Sequence, residues 1–197
     1  MTYIGIIITY VFIQNFILTQ FLGLCPFIGV SKKLDSAVGM GFAVIFVMTI
    51  ASITTWTIYN FILIQFNLEY LHTIVFILVI AALVQLVEMI VQKVSPPLYK
   101  SLGIYLPLIT TNCAVMGIAL IAVVRESYGP LESFVAGFAA GVGFLIAIVF
   151  MSALREKFDS EWIPKPFRGT PIAFITAGLM ALAFMAFDKA LLENLIG

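Results

Sequence analysis

Charge is what this sequence has least of. Ten Lys and Arg and ten Asp and Glu make up 10% of 197 residues and cancel at neutral pH, against about 25% charged in an ordinary soluble domain. The balance leaves neither a basic patch for nucleic acid nor an acidic solvating tail. Two cysteines and a single histidine exclude a disulfide framework and a four-ligand metal site built by this chain alone, so a metal centre here is shared or absent. No Gly-rich phosphate loop, serine nucleophile elbow or paired-histidine zinc motif occurs, which removes the usual footholds of soluble catalysis. What is abundant is apolar: 62% hydrophobic and 14% aromatic residues, with a mean hydropathy of +1.15. A water-soluble globule of this size cannot hide that much apolar surface. The chain is expected to be an all-α integral membrane protein.

Stretches free of charge mark the spans, each needing roughly 20 helical residues. The first is 2–30, without a basic region ahead of it, and so is retained in the mature chain. The second starts at Ser36 and is expected to end near Tyr59, where Trp56 and Tyr59 suit an interfacial aromatic belt, leaving 61–68 as a short connection. Spans three to six are expected at about 71–91, 102–124, 133–154 and 170–187. With six spans, Lys32, Lys33, Lys93, Lys100, Arg155, Lys157, Lys165 and Arg168 fall in one set of loops and only Arg125 and Lys189 in the other. The positive-inside rule then puts loops 1–2, 3–4 and 5–6 in the cytoplasm and both termini outside. Loop 5–6, with Trp162, Pro164 and Pro166, is the largest cytoplasmic feature.

Three spans followed by three suggest a single membrane domain made of two repeats, 1–96 and 97–197. Cys25 and Gly29 match Cys113 and Gly117 in spacing; Gly39, Gly41 and Phe42 match Gly141, Gly143 and Phe144; Ile74 and Phe76 echo Ile172 and Phe174. Repeats with an odd number of spans must be inverted relative to each other in the membrane.

Both cysteines sit where a membrane helix is interrupted. Gly23 and Pro26 flank Cys25, and Pro107 with Thr110, Thr111 and Asn112 precedes Cys113. Proline in a first helical turn and Thr or Asn as a cap are helix-start signals, so each thiol is expected at a half-helix N-terminus, where free amides favour a thiolate. The plainer alternative is that the cysteines are small packing residues beside kinks. If they are ligands, two thiols are half of what an iron–sulfur cluster takes, and a second, pseudo-symmetric chain must complete a [2Fe-2S] centre. Glu88 is the one acid well inside a span and is a candidate for an ion pathway, sharing a helix face with Gln85 and Gln92; the alternative is interfacial pairing. Gln14 and Asn15 are expected to hydrogen-bond between helices, Gly137 and Gly141 to form a close-packing face, and His72 to be interfacial.

Three stretches together carry a family resemblance: Phe21 to Lys33 (FLGLCPFIGVSKK), Leu106 to Val115 (LPLITTNCAV), and Phe167-Arg168-Gly169 with Ile175 to Met180 (ITAGLM). Over nearly the full length they resemble the A subunits of Rnf complexes, with the E subunits of the sodium-pumping NADH:quinone reductase, Nqr, as the related alternative. The resemblance implies six helices in two inverted three-helix repeats, with helices 1 and 4 broken at the cysteines. It further implies pairing with a homologous, oppositely inserted E-type protein, beside the B, C, D and G subunits. Cys25 and Cys113 are then two ligands of a shared intramembrane [2Fe-2S] cluster, in a bacterial or archaeal plasma membrane. The complex passes electrons between ferredoxin and NAD and couples them to Na+ or H+ export, with NAD and flavin sites on other subunits. The competing classes are a secondary transporter, which inverted repeats and broken helices also fit, and a purely structural scaffold.

Overall fold

A computed structural model describes residues 3–66, 69–94, 108–109, 111–125, 128–158, 167 and 169–196. Among these every regular element is helical. In chain order they are α1 (Tyr3–Ile8), α2 (Leu24–Val30), α3 (Leu34–Ile58), α4 (His72–Val94), α5 (Cys113–Leu120), α6 (Pro130–Phe158) and α7 (Thr170–Ile196). α1, α3 and α5 each run on into one wider π-helical turn, at Thr9–Ile13, Tyr59–Leu63 and Ile121–Arg125. Leu34–Leu63, His72–Ile90 and Pro130–Lys157 are long and apolar enough to cross a membrane, and Tyr3–Ile13, Cys113–Val123 and Thr170–Met185 are shorter apolar helices.

The core is the antiparallel pair α3 and α6, and its closeness follows from small residues. A Cβ on Gly137 would lie 2.8 Å from Ser52 Cβ and 2.9 Å from the Met48 carbonyl oxygen, and one on Gly141 would lie 2.7 Å from Ile45 Cα. Gly41 faces Leu145 in the same way. Within lipid, where apolar burial between helices gains little, such approach is how two helices hold together. Ala37, Met40, Val44, Met48 and Ala51 from α3 meet Ala136, Ala139, Ala140, Phe144, Ala147 and Ile148 from α6, all buried. The expected packing role of Gly137 and Gly141 is what the structure shows. α1 lies along α6, α5 along α3, α4 against α3 and α5, and α7 against α6 and the turn that ends α1.

Helix ends are fixed by local chemistry. Pro130 occupies the first position of α6, where its missing N–H costs nothing, and Glu132 reaches back to accept from the Gly129 N–H at 3.1 Å, half of a capping box. Each end of the α3–α6 pair is tied to the loop entering its neighbour. Trp56 Nε1 donates to the Tyr128 carbonyl at 2.7 Å, and Arg155 donates to the Ile28 carbonyl at 2.7 Å and to Ser31 Oγ at 2.8 Å.

Three expectations change. The second span does not end at Tyr59: the helix continues through Leu63 and the chain keeps turning to Phe66. No Gly or Pro occurs between Phe42 and Val94 to stop it, and an aromatic belt reports depth in lipid rather than a backbone terminus. Gln14 is exposed while Asn15 beside it is buried, and among the described residues it is Asn15 of the two that bonds to another helix, at the Gly143 carbonyl. Phe76 is fully buried whereas Phe174 is 55% exposed, and Phe42 is 62% exposed whereas Phe144 is buried, so neither echo pairs residues in like surroundings. Pro107, Thr110 and the loop carrying Trp162, Pro164 and Pro166 lie outside the described residues.

Two broken helices that meet at the cysteines

The first break runs from Gln14 to Gly23, between α1 and α2, ahead of Cys25 rather than at it. An unwound segment at membrane depth must find partners for its amides, and Asn15 supplies several. Its Nδ2 donates to the Val11 carbonyl at 3.3 Å and across to the Gly143 carbonyl of α6 at 3.0 Å, while its Oδ1 accepts from the Ile17 N–H at 3.2 Å. The Asn15 carbonyl takes both the Thr19 N–H at 2.9 Å and the Thr19 hydroxyl at 2.7 Å. The segment then turns through Phe21 (φ 56°) and Gly23 (φ 85°), and Gly23 caps α2, with Cys25 and Pro26 in its first turn.

The second break ends at Asn112. Its side-chain Oδ1 accepts from the Ala114 N–H at 3.0 Å, and its backbone is extended (φ −70°, ψ 110°), an N-cap for α5 with Cys113 as the first helical residue. The Cys113 thiol faces the Thr111 carbonyl at 3.9 Å.

These two breaks touch. A Cβ on Gly23 would lie 2.8 Å from Asn112 Oδ1, 3.2 Å from Ala114 Cβ and 3.4 Å from a Phe144 ring carbon. The cap of one half-helix therefore rests on the cap of the other, which brings the first turns carrying Cys25 and Cys113 to one region of the bundle. Both thiols are free and exposed. Cys113 also opens onto a groove of about 590 Å³ between α4 and α5, lined mainly by aliphatic side chains such as Leu22, Ile77, Ile80 and Met116, with Thr111, Asn112 and Cys113 its polar and thiol members.

The donor chemistry fits a thiolate-ligated metal centre in part. Two free sulfurs at two helix starts are the soft ligand type such a centre uses. Among the described residues no three His, Cys, Asp or Glu side chains gather. Glu88 is half-buried near the far end of α4 and is not among the groove residues; the structure does not bring it to the cysteines. His72 is half-buried, with its ring edge-on to Phe76 at 6.1 Å between centroids. Two features escape sequence reasoning: the seating of Gly23 on Asn112, signalled only by a glycine ahead of Cys25, and the tie from Arg155 to Ile28, which nothing in the sequence signals.

An all-helical, strongly apolar arrangement among the described residues, with three helices long and apolar enough to cross a bilayer, defines a helical membrane protein. The sequence model of the family described as "Rnf-Nqr subunit, membrane protein" matches residues 3–191, and the chain belongs to that family. It is 56% identical over 185 residues to the A subunit of the ion-translocating oxidoreductase complex of Serratia proteamaculans, covering 94% of this chain and 95% of that one. It is 55% identical over 186 residues to the protein of the same name from Proteus mirabilis, covering 94% and 96%. The A subunit of the Na(+)-translocating ferredoxin:NAD(+) oxidoreductase complex of Acetobacterium woodii is 54% identical over 188 residues, covering 95% and 97%.

Proposed function

We propose that this chain is the A-type membrane subunit of an Rnf-type, ion-translocating ferredoxin:NAD oxidoreductase, carrying electrons within the bilayer. The observation behind it is the contact of the two half-helix caps, Gly23 on Asn112, from which the two helix starts carrying the exposed Cys25 and Cys113 leave. Cys25 and Cys113 would hold half of a [2Fe-2S] cluster, and a homologous E-type partner the other half. Such a cluster, when bound, supplies one-electron transfer. The chain's own contribution is positional. Asn15 and Asn112 satisfy the backbone at the breaks, Arg155 fastens the end of α2 that follows Cys25, and the aliphatic groove keeps water from Cys113 once a partner covers it.

The six-span inverted repeat is part of the same reading. The antiparallel crossing of α3 and α6 fits it, with Gly41 against Leu145, Gly141 against Ile45 and Gly137 against Ser52 and Met48. The lean of α1 on α6 is matched by that of α5 on α3. Buried Phe76, Ile80 and Val84 on α4 recur as buried Ala173, Ala177 and Ala181 on α7. In this arrangement both termini face outward, the partners are the E-type protein and the B, C, D and G subunits, and the coupling ion is Na+ or H+. Glu88 is a candidate step on the ion path, and retention of full ion transport in Glu88→Gln removes it.

The test is the whole complex reconstituted in liposomes. Cys25→Ala and Cys113→Ala should each abolish ferredoxin-dependent reduction of NAD and the ion uptake tied to it. A Cys25→Ala complex that still moves ions at the normal ratio of ions to electrons overturns the proposal.

A further inference from the structure

Asn112 has more hydrogen-bonding capacity than its cap uses. The residue is 3% exposed. Its Oδ1 is committed to the Ala114 N–H, and because an N–H can be given only to an acceptor, that bond fixes which end of the carboxamide is which. Its Nδ2 is buried and meets no acceptor among the described residues. A buried donor left unmet is costly, and native structures rarely keep one without a use. The wall it belongs to offers few acceptors, being aliphatic apart from Thr111, Asn112 and Cys113. The sulfur of Cys113 belongs to the next residue, and it becomes a strong acceptor once it is a thiolate ligand.

Resting on the function proposed above, we infer that Asn112 Nδ2 donates a hydrogen bond to a sulfur of the iron–sulfur group held at Cys113, its thiolate or an adjacent sulfide, and so raises that group's reduction potential. A donor aimed at a sulfur stabilises the added electron more than the oxidised state, which is one of the levers a protein has on such potentials. The same side chain then has two functions. Its oxygen starts the helix that presents the ligand, and its nitrogen sets how readily the bound group accepts an electron.

The experiment is a redox titration followed by electron paramagnetic resonance on the purified complex, with iron content measured alongside. The variants are Asn112→Ser, which keeps a good helix cap but has no amide, and Asn112→Asp, which keeps the cap oxygen and the size of the side chain. The inference expects both to retain iron and both to titrate at a more negative midpoint, the Asp variant further because it adds negative charge. An unchanged midpoint in an iron-replete variant overturns it. Loss of iron from both variants also overturns it, by assigning Asn112 a structural role alone. Absence of iron from the unsubstituted complex is a different failure, that of the cluster itself, and is read before any variant is compared.

Discussion

Replacing Gly23 by alanine tests the junction on which the site depends. At φ 85° an L-residue lies in the left-handed region, which costs roughly 1–2 kcal/mol. The new methyl would also stand 2.8 Å from Asn112 Oδ1 and 3.2 Å from Ala114 Cβ. Neither neighbour is free to yield: Oδ1 is bonded to the Ala114 N–H, and Ala114 is fully buried. Overpacking of this kind adds roughly 1–3 kcal/mol, for a total of about 2–5 kcal/mol. The assay is thermal unfolding of the detergent-solubilised complex together with iron per complex. Gly23→Ala should lower both. Gly5→Ala and Gly178→Ala, where a Cβ meets nothing within 4 Å, should lower neither, since alanine in a helix is favoured by up to about 1 kcal/mol over glycine. Trimming Asn112 to alanine removes the oxygen that the methyl strikes, so the double variant should lose less than the sum of the single losses. A Gly23→Ala complex with unchanged stability and iron, or strictly additive losses, would refute the claim that the two breaks bear on each other.

Asn15→Leu should cost about 1–3 kcal/mol, because it orphans the Ile17 N–H and removes the link to the Gly143 carbonyl; thermal unfolding and limited proteolysis between α1 and α2 would show it. Arg155→Met frees the Ile28 carbonyl and Ser31 Oγ and should cost about 1–2 kcal/mol after partial screening by water. Its effect should appear as a lower unfolding temperature with α3 and α6 still paired, which cross-linking between cysteines placed at the facing positions Gly41 and Leu145 would confirm.

The division between what the sequence discloses and what it hides follows physical lines. Gaps between charges locate the apolar helices, because a charge inside lipid is costly wherever it falls. Proline, threonine and asparagine around the thiols announce the helix starts at Leu24 and Cys113, because capping is local chemistry. The end of the second span is hidden, since Trp56 and Tyr59 speak of depth and only the absence of a breaker speaks of the backbone. Gln14 and Asn15 look alike in sequence, yet they stand where the first helix unwinds, and only packing decides which is turned inward. The small residues on α6 are recognisable as a packing face, but their partner on α3 is not, and neither is the contact of Gly23 with Asn112. Those facts are long-range, and one sequence carries no record of which residues meet across it.

The most direct measurement is the electron paramagnetic resonance spectrum of the chain purified anaerobically with its homologous partner and reduced with dithionite, beside Cys25→Ala and Cys113→Ala. A [2Fe-2S] signal in the unsubstituted pair that is missing from both variants is the predicted result. A signal that persists in either variant, or a well-folded and fully assembled pair without iron, would contradict it.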